Sequence, residues 1–334
     1  MKTNLKSLCL ATVLLSGVAA AQAVQVDERL PKYEPVEGVS GSIKSIGSDT
    51  MNNLMTLWSE GFLAMYPNVQ PEIEGKGSST APPALIAGTS TFGPMSREMK
   101  AAEIDEFEKQ HGYKPTALAS SIDMLAVFVH KDNPIQGLTL QQCDAMFSST
   151  RKGGLDKDIR TWGEAGLDGP WTRQPISLYG RNSASGTYGF FKDNALFKGD
   201  FKSTVKEQPG SSAVIQGIAT DKHGIGYSGI GYMTADVRAV PLAYDAKSDM
   251  IPATPEFAYT GEYPLARFLY IYVNKDPNKP LDPLRREFLR YVFSKQGQLD
   301  VVKAGYYPVT ADIAVDALKS IGVDVKPANA SAKR

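Results

Sequence analysis

The sequence is poor in the side chains that metal binding and covalent catalysis need. Its 334 residues include two cysteines and three histidines. Cys9 lies in an apolar stretch at the N-terminus, so a chain processed there keeps Cys143 alone and cannot form an internal disulfide. The histidines, His111, His130 and His223, show no metal-ligand spacing with cysteine or acidic residues. We therefore expect no metal, no cofactor and no catalytic residue.

The sequence also lacks an excess of either charge. It has 36 basic and 36 acidic side chains, and removal of Lys2 and Lys6 with the N-terminal stretch shifts the balance to about −2. Such a chain does not suggest nucleic-acid binding. If it binds an anion, it must do so through one local site, because the overall field supplies little attraction.

Only the N-terminus has an apolar run of the kind that targets a chain to a membrane. Lys2 and Lys6 precede an apolar run over residues 8–21, and Ala21-Gln22-Ala23 has the small residues of a cleavage site. The run is short for a transmembrane helix. We expect residues 1–23 to form a signal peptide cleaved after Ala23, which predicts a periplasmic or secreted protein. Lipidation of Cys9 is disfavoured because no small-residue run precedes it.

A hydroxyl-rich turn over residues 180–191 has the features of an anion site. Residues 176–179 alternate like a strand, and residues 188–196 have helical spacing. The segment Ser185-Gly186-Thr187 then lies at a helix start, where backbone N–H groups are free and the helix dipole is positive. The guanidinium of Arg181 matches a tetrahedral oxyanion. The alternative is a capped helix beside a surface arginine.

Similar turns follow three earlier segments. Residues 42–46 predict a strand before Gly47–Thr50, which opens a helix, and residues 69–74 predict a strand before Gly75–Thr80. Phe92–Arg97 offers a third turn of this kind. Successive strand-turn-helix units indicate a parallel α/β sheet with the turns at its carboxyl edge, where ligands bind.

Two long apolar segments suggest the domain organisation. Residues 117–129 and 265–273 both predict buried strands. If both connect two domains, the intervening segment is a domain inserted into the first. We therefore expect an N-terminal arm over 24–41, a first lobe over 42–126 and 265–322, a second lobe over 127–264, and a disordered tail over 323–334.

Other motifs give weaker signals. Gly224–Gly229 matches the dinucleotide fingerprint formally, but it does not follow a strand and open a long helix, so a glycine-rich strand is favoured. Ser203 and Lys206 satisfy Ser-x-x-Lys without its companion motifs. A nucleophile elbow at Ser228 lacks its second glycine, because Ile230 stands there. A phosphate-ester hydrolase and an extracellular adhesion or scaffold protein are the rival classes.

Taken in order, the turns resemble those of the periplasmic phosphate-binding proteins of ABC-type phosphate importers. The resemblance covers about residues 42–323 and rests on motifs at 47–51, 77–80, 93–97, 180–187 and 226–229. It implies an α/β fold of the periplasmic-binding-protein type II class, a two-lobed Venus flytrap with two hinge strands. Such a protein closes on one inorganic phosphate ion and delivers it to membrane permease subunits. We expect a monomer, because both lobes must face the transporter.

The resemblance also implies the site. Hydroxyls, backbone N–H groups and guanidinium groups would hold the anion, and they belong to Thr50, Met51 (through its N–H), Ser78, Ser96, Arg97, Arg181, Ser185, Gly186 and Thr187.

Ser96 departs from the family pattern. Many members have a carboxylate there, which accepts the proton of hydrogen phosphate and rejects sulfate. A serine hydroxyl both accepts and donates, so selectivity against sulfate, molybdate or arsenate stays open. Asp49 is expected to cap a helix rather than to replace that carboxylate. For Arg97 we favour a second cation at the site over an ion pair with a surface carboxylate.

Overall fold

Residues 24–324 are described by a computed structural model in which strands and helices alternate along the chain. The strands are β1 Gly41–Ile46, β2 Val69–Glu74, β3 Gly93–Met95, β4 Thr116–His130, β5 Leu138–Thr139, β6 Ser177–Arg181, β7 Lys206–Gln208, β8 Gly224–Gly229, β9 Val237–Ala239, β10 Leu242–Ala243 and β11 Ala266–Val273. The helices are α1 Asn52–Leu63, α2 Ala81–Ile86, α3 Ala101–His111, α4 Leu140–Phe147, α5 Gly186–Asn194, α6 Ser211–Thr220, α7 Pro255–Tyr259, α8 Pro283–Val292, α9 Lys295–Lys303 and α10 Ala311–Ser320.

The first lobe is built on strands from both ends of the described chain. β1 and β2 pair in parallel, and a bridge between Ser45 and Phe92 places β3 beside β1. β11 lies antiparallel between β3 and β4, which gives the order β2-β1-β3-β11-β4. On α1, the buried side chains of Leu54, Trp58 and Phe62 recur at helical spacing and pack into the core of this lobe.

The second lobe is built around the other half of β4. Its strands have the order β9-β4-β8-β6-β7, with β6 parallel to both β8 and β7. Stacked rings fix β8 against α5, since Tyr227 and Phe191 lie parallel with centroids 4.1 Å apart. The Tyr227 hydroxyl accepts the N–H of Arg181 at 3.2 Å, which positions the end of β6.

β4 is the strand that both lobes share. Its first part pairs with β11 from Thr116 to Met124, and its second part pairs with β8 from Leu125 onward. The chain returns at Leu265, whose carbonyl accepts the N–H of Leu125 at 3.0 Å. Residues 124–129 are fully buried, which explains their continuous apolar sequence. The lobes therefore meet at two adjacent crossings.

The N-terminal arm packs against the first lobe without forming a helix or strand. Leu30 and Tyr33 are buried, and the Tyr33 hydroxyl bonds with the Tyr66 hydroxyl at 2.7 Å. The predicted signal peptide lies outside the described residues, as does the predicted tail from residue 325. Within residues 24–324, no helix is both long and apolar enough to cross a membrane.

Candidate functional site

Four buried hydroxyl groups meet where the two lobes face each other. Thr50, Ser78 and Ser96 come from the turns after β1, β2 and β3, and Thr187 comes from the first turn of α5. The Thr50 and Thr187 hydroxyl oxygens are 2.8 Å apart across the lobes. The Ser78 and Ser96 hydroxyl oxygens are 3.3 Å apart. We call these four residues the hydroxyl cluster.

Local backbone structure brings the hydroxyl cluster together. Thr50 and Ser78 lie in short 3-10 turns, at Asp49–Met51 and Ser78–Thr80, that begin after β1 and β2. The N–H of Ser96 donates to the Ser78 hydroxyl at 3.0 Å, which ties the third turn to the second. The predicted convergence of the turns at one sheet edge is thus present in the structure.

The N-terminus of α5 closes the other side of the cluster. Ser185 is the N-cap residue, and its hydroxyl accepts the N–H of Tyr188 at 3.3 Å. Gly186 follows as the first helical residue, and a Cβ there would lie 2.2 Å from the Ser78 hydroxyl and 2.7 Å from that of Ser96. Only glycine allows this approach. The start of α5, with the free N–H groups of its first turn, therefore packs directly against these hydroxyls.

Arg181 is almost completely buried, with 2% of its surface exposed. Its Nη1 donates to Asp49 at 2.9 Å and to the Ser211 hydroxyl at 2.8 Å. Its Nε is buried and has no acceptor among the described residues. A buried N–H without a protein acceptor is rare, and here it suits an anionic ligand.

Asp49 joins the lobes rather than capping the helix that follows it. The same carboxylate oxygen that binds Arg181 accepts the N–H of Ser211 at 2.7 Å, and Ser211 is the first residue of α6 in the second lobe. The expectation that Asp49 caps the helix that directly follows it is therefore wrong. The carboxylate caps α6 across the lobe boundary and neutralises Arg181.

A second buried ion pair was missed by the sequence analysis. Arg267 of β11 donates from Nε and Nη2 to one Asp123 oxygen of β4, at 3.0 and 2.7 Å. Its Nη2 also contacts the Thr187 hydroxyl at 3.2 Å, and its Nη1 donates to the Ser96 carbonyl at 2.8 Å. Both residues occur singly in apolar strands. A lone charge in such a strand is the signal that could have found them, since buried charges are nearly always paired.

Arg97 and Met51 lie beside the cluster, and their hydrogen bonds go to residues outside it. The Arg97 guanidinium is held by Glu103 at 2.7 Å, and it reaches the Ser79 hydroxyl at 3.2 Å. Burial opposes ionisation of Glu103, but hydrogen bonds from Arg97 and from the Lys100 N–H lower its pKa. The N–H of Met51 donates to the Ser48 carbonyl. Arg267, rather than Arg97, is the guanidinium that contacts the hydroxyl cluster, through Thr187.

The arrangement suits binding better than catalysis. Within the described chain, the hydrogen-bond partners of the four hydroxyls are other hydroxyls, the Ser96 N–H and Arg267, and none is a histidine, lysine or carboxylate that could act as a base. Lys206, the lysine of the Ser-x-x-Lys pattern, donates to the Tyr179 hydroxyl at 3.2 Å. Residues 24–324 contain no group of three histidine, cysteine or acidic side chains placed to hold a metal. Converging donors with compensated charges can bind a small tetrahedral oxyanion.

The fold and the site together define a two-lobed binding protein of the periplasmic binding protein class. In agreement, a family model described as the PBP superfamily domain matches residues 33–296. A relative named phosphate-binding protein PstS, from Pseudomonas aeruginosa, is 54% identical over 313 residues, which are 93% of this chain and 97% of that protein. The chain therefore belongs to the PstS family of phosphate-binding proteins.

More distant proteins agree. The phosphate-binding protein PstS of Staphylococcus haemolyticus is 26% identical over 85% of this chain and 86% of its own length. A crystal structure from Clostridium perfringens, of a phosphate ABC transporter substrate-binding protein with bound phosphate, is also 26% identical. It has a TM-score of 0.68 and covers 80% of this chain and 100% of its own. The family and the fold class predicted from the sequence are confirmed.

Proposed function

We propose that this chain binds one inorganic phosphate ion between its lobes and delivers it to the permease subunits of an ABC-type phosphate importer. The observation that carries the proposal is the hydroxyl cluster, buried against the start of α5 and flanked by two internally neutralised arginines. The names of the relatives support the same ligand. The protein acts as a monomeric receptor outside the cytoplasm.

Both lobes supply donors to the bound ion. Thr50, Ser78, Ser96 and Arg267 belong to the first lobe, and Arg181 with Ser185, Gly186 and Thr187 belongs to the second. A phosphate ion reaches both sets of donors only when the lobes are in contact, so it favours the closed state by its higher affinity for that state. Each charge-assisted hydrogen bond contributes about 1.5–3 kcal/mol. Several of them offset the costs of desolvation and ordering enough for a micromolar Kd, about −8 kcal/mol.

Ser96 is the proposed acceptor for the proton of hydrogen phosphate. Its N–H and carbonyl are fixed by Ser78 and Arg267, so its position in the cluster is set by the backbone. Its hydroxyl remains able to rotate and to accept a hydrogen bond. The same hydroxyl could donate to sulfate, which makes discrimination between the two anions the sharpest question about the site.

Calorimetric titration tests the proposal. Protein freed of bound anion by refolding would be titrated with phosphate and then with sulfate. We expect micromolar or tighter phosphate binding in the parent protein and its loss in Arg181→Ala. Arg97→Ala is the matched control, because it removes the same charge from a residue bound to Glu103, and its Kd should change less than about threefold.

Other results would redirect the proposal. Sulfate at least about a hundredfold weaker than phosphate would show that Ser96 suffices for selection. Equal affinities would make the protein a general oxyanion receptor. If phosphate produced no binding heat and no thermal protection, the receptor proposal would be overturned and a scaffold protein would be favoured. Turnover of a phosphate monoester would favour a hydrolase.

The proposed location has a separate test. The protein would be expressed from its full sequence, and the soluble extracytoplasmic fraction analysed by N-terminal sequencing. A mature chain that begins at Val24 would support cleavage after Ala23, whereas retention of residues 1–23 in a membrane fraction would contradict it.

A further inference from the structure

The second lobe contains a cavity that the phosphate site does not use. The cavity has a volume of about 640 Å³, and none of its lining residues belongs to the hydroxyl cluster or contacts it. It lies between the end of α4, the segment over residues 149–160, β6, and residues 202–204. This volume is within the range of about 300–1,000 Å³ that is typical of small-molecule sites.

The lining of this cavity carries an excess of positive charge. Asp158 is the one carboxylate among the lining residues that the structure describes, and it has three cationic neighbours, Arg151, Arg160 and Lys202. Asp158 bonds with Arg151 and with Arg160, both at 2.7 Å, and lies 3.7 Å from the Lys202 ammonium. Asp144 lies behind the lining, where it accepts the N–H of Gly153. Three cations thus share one carboxylate, and Arg160, whose side chain is 76% exposed, lies at the outer rim of the cavity.

Lys202 is the least compensated of the three cations. Its side chain is 14% exposed, and its one short contact is to the Ala145 carbonyl at 2.8 Å. Burial lowers its pKa, and the neighbouring Arg160 and Arg151 lower it further, against the opposing effect of Asp158. A partly buried ammonium with so little carboxylate contact gains from an additional anion.

The rest of the lining is apolar with a few hydroxyl groups. Met146, Ile159, Ile176 and Leu178 supply the apolar surface, and Ser149, Ser203 and Thr204 supply the hydroxyls. An inorganic ion would leave the apolar surface uncovered. We infer that this cavity binds a small organic anion, with its anionic oxygens between Lys202 and Arg151 and its aliphatic or aromatic body over Met146, Ile159 and Leu178.

Fluorescence titration with 1-anilinonaphthalene-8-sulfonate, an aromatic anion, tests the inference in saturating inorganic phosphate. We expect one probe molecule to bind per chain, and we expect octanoate to displace it. Lys202→Gln should weaken probe binding at least about tenfold, the equivalent of one charge-assisted hydrogen bond. The matched control Lys192→Gln removes the same charge from the same lobe, at a residue paired with Asp200 on the surface, and should leave probe binding unchanged.

A second variant separates loss of the site from loss of the fold. Ile176→Trp places bulk in the cavity without changing charge, and it should also abolish probe binding. Both variants should bind phosphate as the parent does. Absence of one-to-one probe binding in the parent, or unchanged binding in Lys202→Gln or Ile176→Trp, would overturn the inference. Failure of the parent to bind phosphate would overturn the proposed function alone.

Discussion

Gly186 determines how closely the two lobes can approach at the hydroxyl cluster. Ala at this position fits a helix start, but its Cβ would lie 2.2 Å from the Ser78 hydroxyl, well inside contact distance. Rotation of the two hydroxyls would not relieve the clash, because the added Cβ would also lie 2.9 Å from the Cβ of Ser78, whose position the backbone fixes. We expect Gly186→Ala to weaken phosphate binding at least about a hundredfold, because the lobes cannot close fully around the ion.

Gly189→Ala is the control for this prediction. It lies one turn along the same helix, and its added Cβ would meet only Arg97 at 3.7 Å, an ordinary contact. Calorimetry should give it the affinity of the parent. Small-angle scattering should show that phosphate contracts the parent and the control but not Gly186→Ala. A phosphate Kd of Gly186→Ala within about threefold of the parent would contradict the close-approach argument.

At the scale of single residues, the sequence predicted the hydroxyl groups of the candidate site better than its charged groups. Thr50, Ser78, Ser96 and Thr187 could be predicted because each lies in a turn whose composition differs from its surroundings. Asp123 and Arg267 each stand out as a lone charge in an apolar strand, but their partnership could not be predicted, because it depends on the pairing of two strands more than a hundred residues apart. The role of Asp49 likewise depends on an element of the other lobe.

At the scale of elements, the N-cap of α5 has both a structural and a functional role. Ser185→Ala removes its cap bond, which costs about 1 kcal/mol of stability, and loosens the helix start that faces the ligand. We expect phosphate affinity to fall about tenfold. Thr139→Ala removes an equivalent cap from α4, whose first residues make no hydrogen bond to the hydroxyl cluster.

Chemical denaturation and calorimetry distinguish these two caps. Both variants should lose similar stability, while only Ser185→Ala should lose affinity. Equal affinities in the two variants would show that the α5 cap acts on stability alone.

The N-terminal arm is anchored by a pH-sensitive contact. The Asp27 carboxylate binds Arg29 and the N–H of Ala311 at the start of α10. The hydrogen bond from Arg29, against the effect of burial, lowers the pKa of Asp27 from 3.8 to about 2. Because the folded pKa lies below the ordinary value, the ionised carboxylate stabilises the fold above about pH 4, and this contribution is lost as the pH falls from about 4 to 2.

Asp27→Asn should therefore lower the free energy of unfolding at pH 7 by about 1 kcal/mol, less than the full shift implies because solvent screens the partly exposed pair. Urea unfolding at pH 7 and at pH 3 measures the effect, and the difference from the parent should shrink at the lower pH. Asp236→Asn, which breaks an exposed pair with Lys131, is the control and should change little. An Asp27→Asn effect that grows on acidification would contradict the assignment.

The longer elements were predicted closely, and the shorter ones were not. β2 and β8 have the predicted bounds, since each is bordered by turn residues at its ends. The two- and three-residue strands β5, β7, β9 and β10 have no measurable period, and their pairing exists only in the folded lobe. The start of α5 lies two residues before the predicted helix, because Ser185 takes the cap position.

At the scale of the whole molecule, the binding site is electrically balanced. Arg181 is paired with Asp49, and Arg267 with Asp123. With no excess positive charge at these pairs, we expect the phosphate Kd to change less than about threefold between 0.05 and 0.5 M NaCl.

Asp49→Asn leaves Arg181 without its carboxylate and should give a steeper salt dependence. Calorimetry across the salt series measures both slopes. A steep slope in the parent would show that long-range attraction, rather than local hydrogen bonding, dominates its affinity.

The position of β11 between β3 and β4 also constrains the order in which the chain can fold. The first lobe begins near residue 41, yet its sheet has a gap until residues 266–273 are available to fill it. The second lobe lacks this constraint, since all its strands lie within residues 116–243. A chain that emerges N-terminus first therefore has its inserted lobe ready to fold while the enclosing lobe is still incomplete. Most of its length must be made before the enclosing lobe can become native.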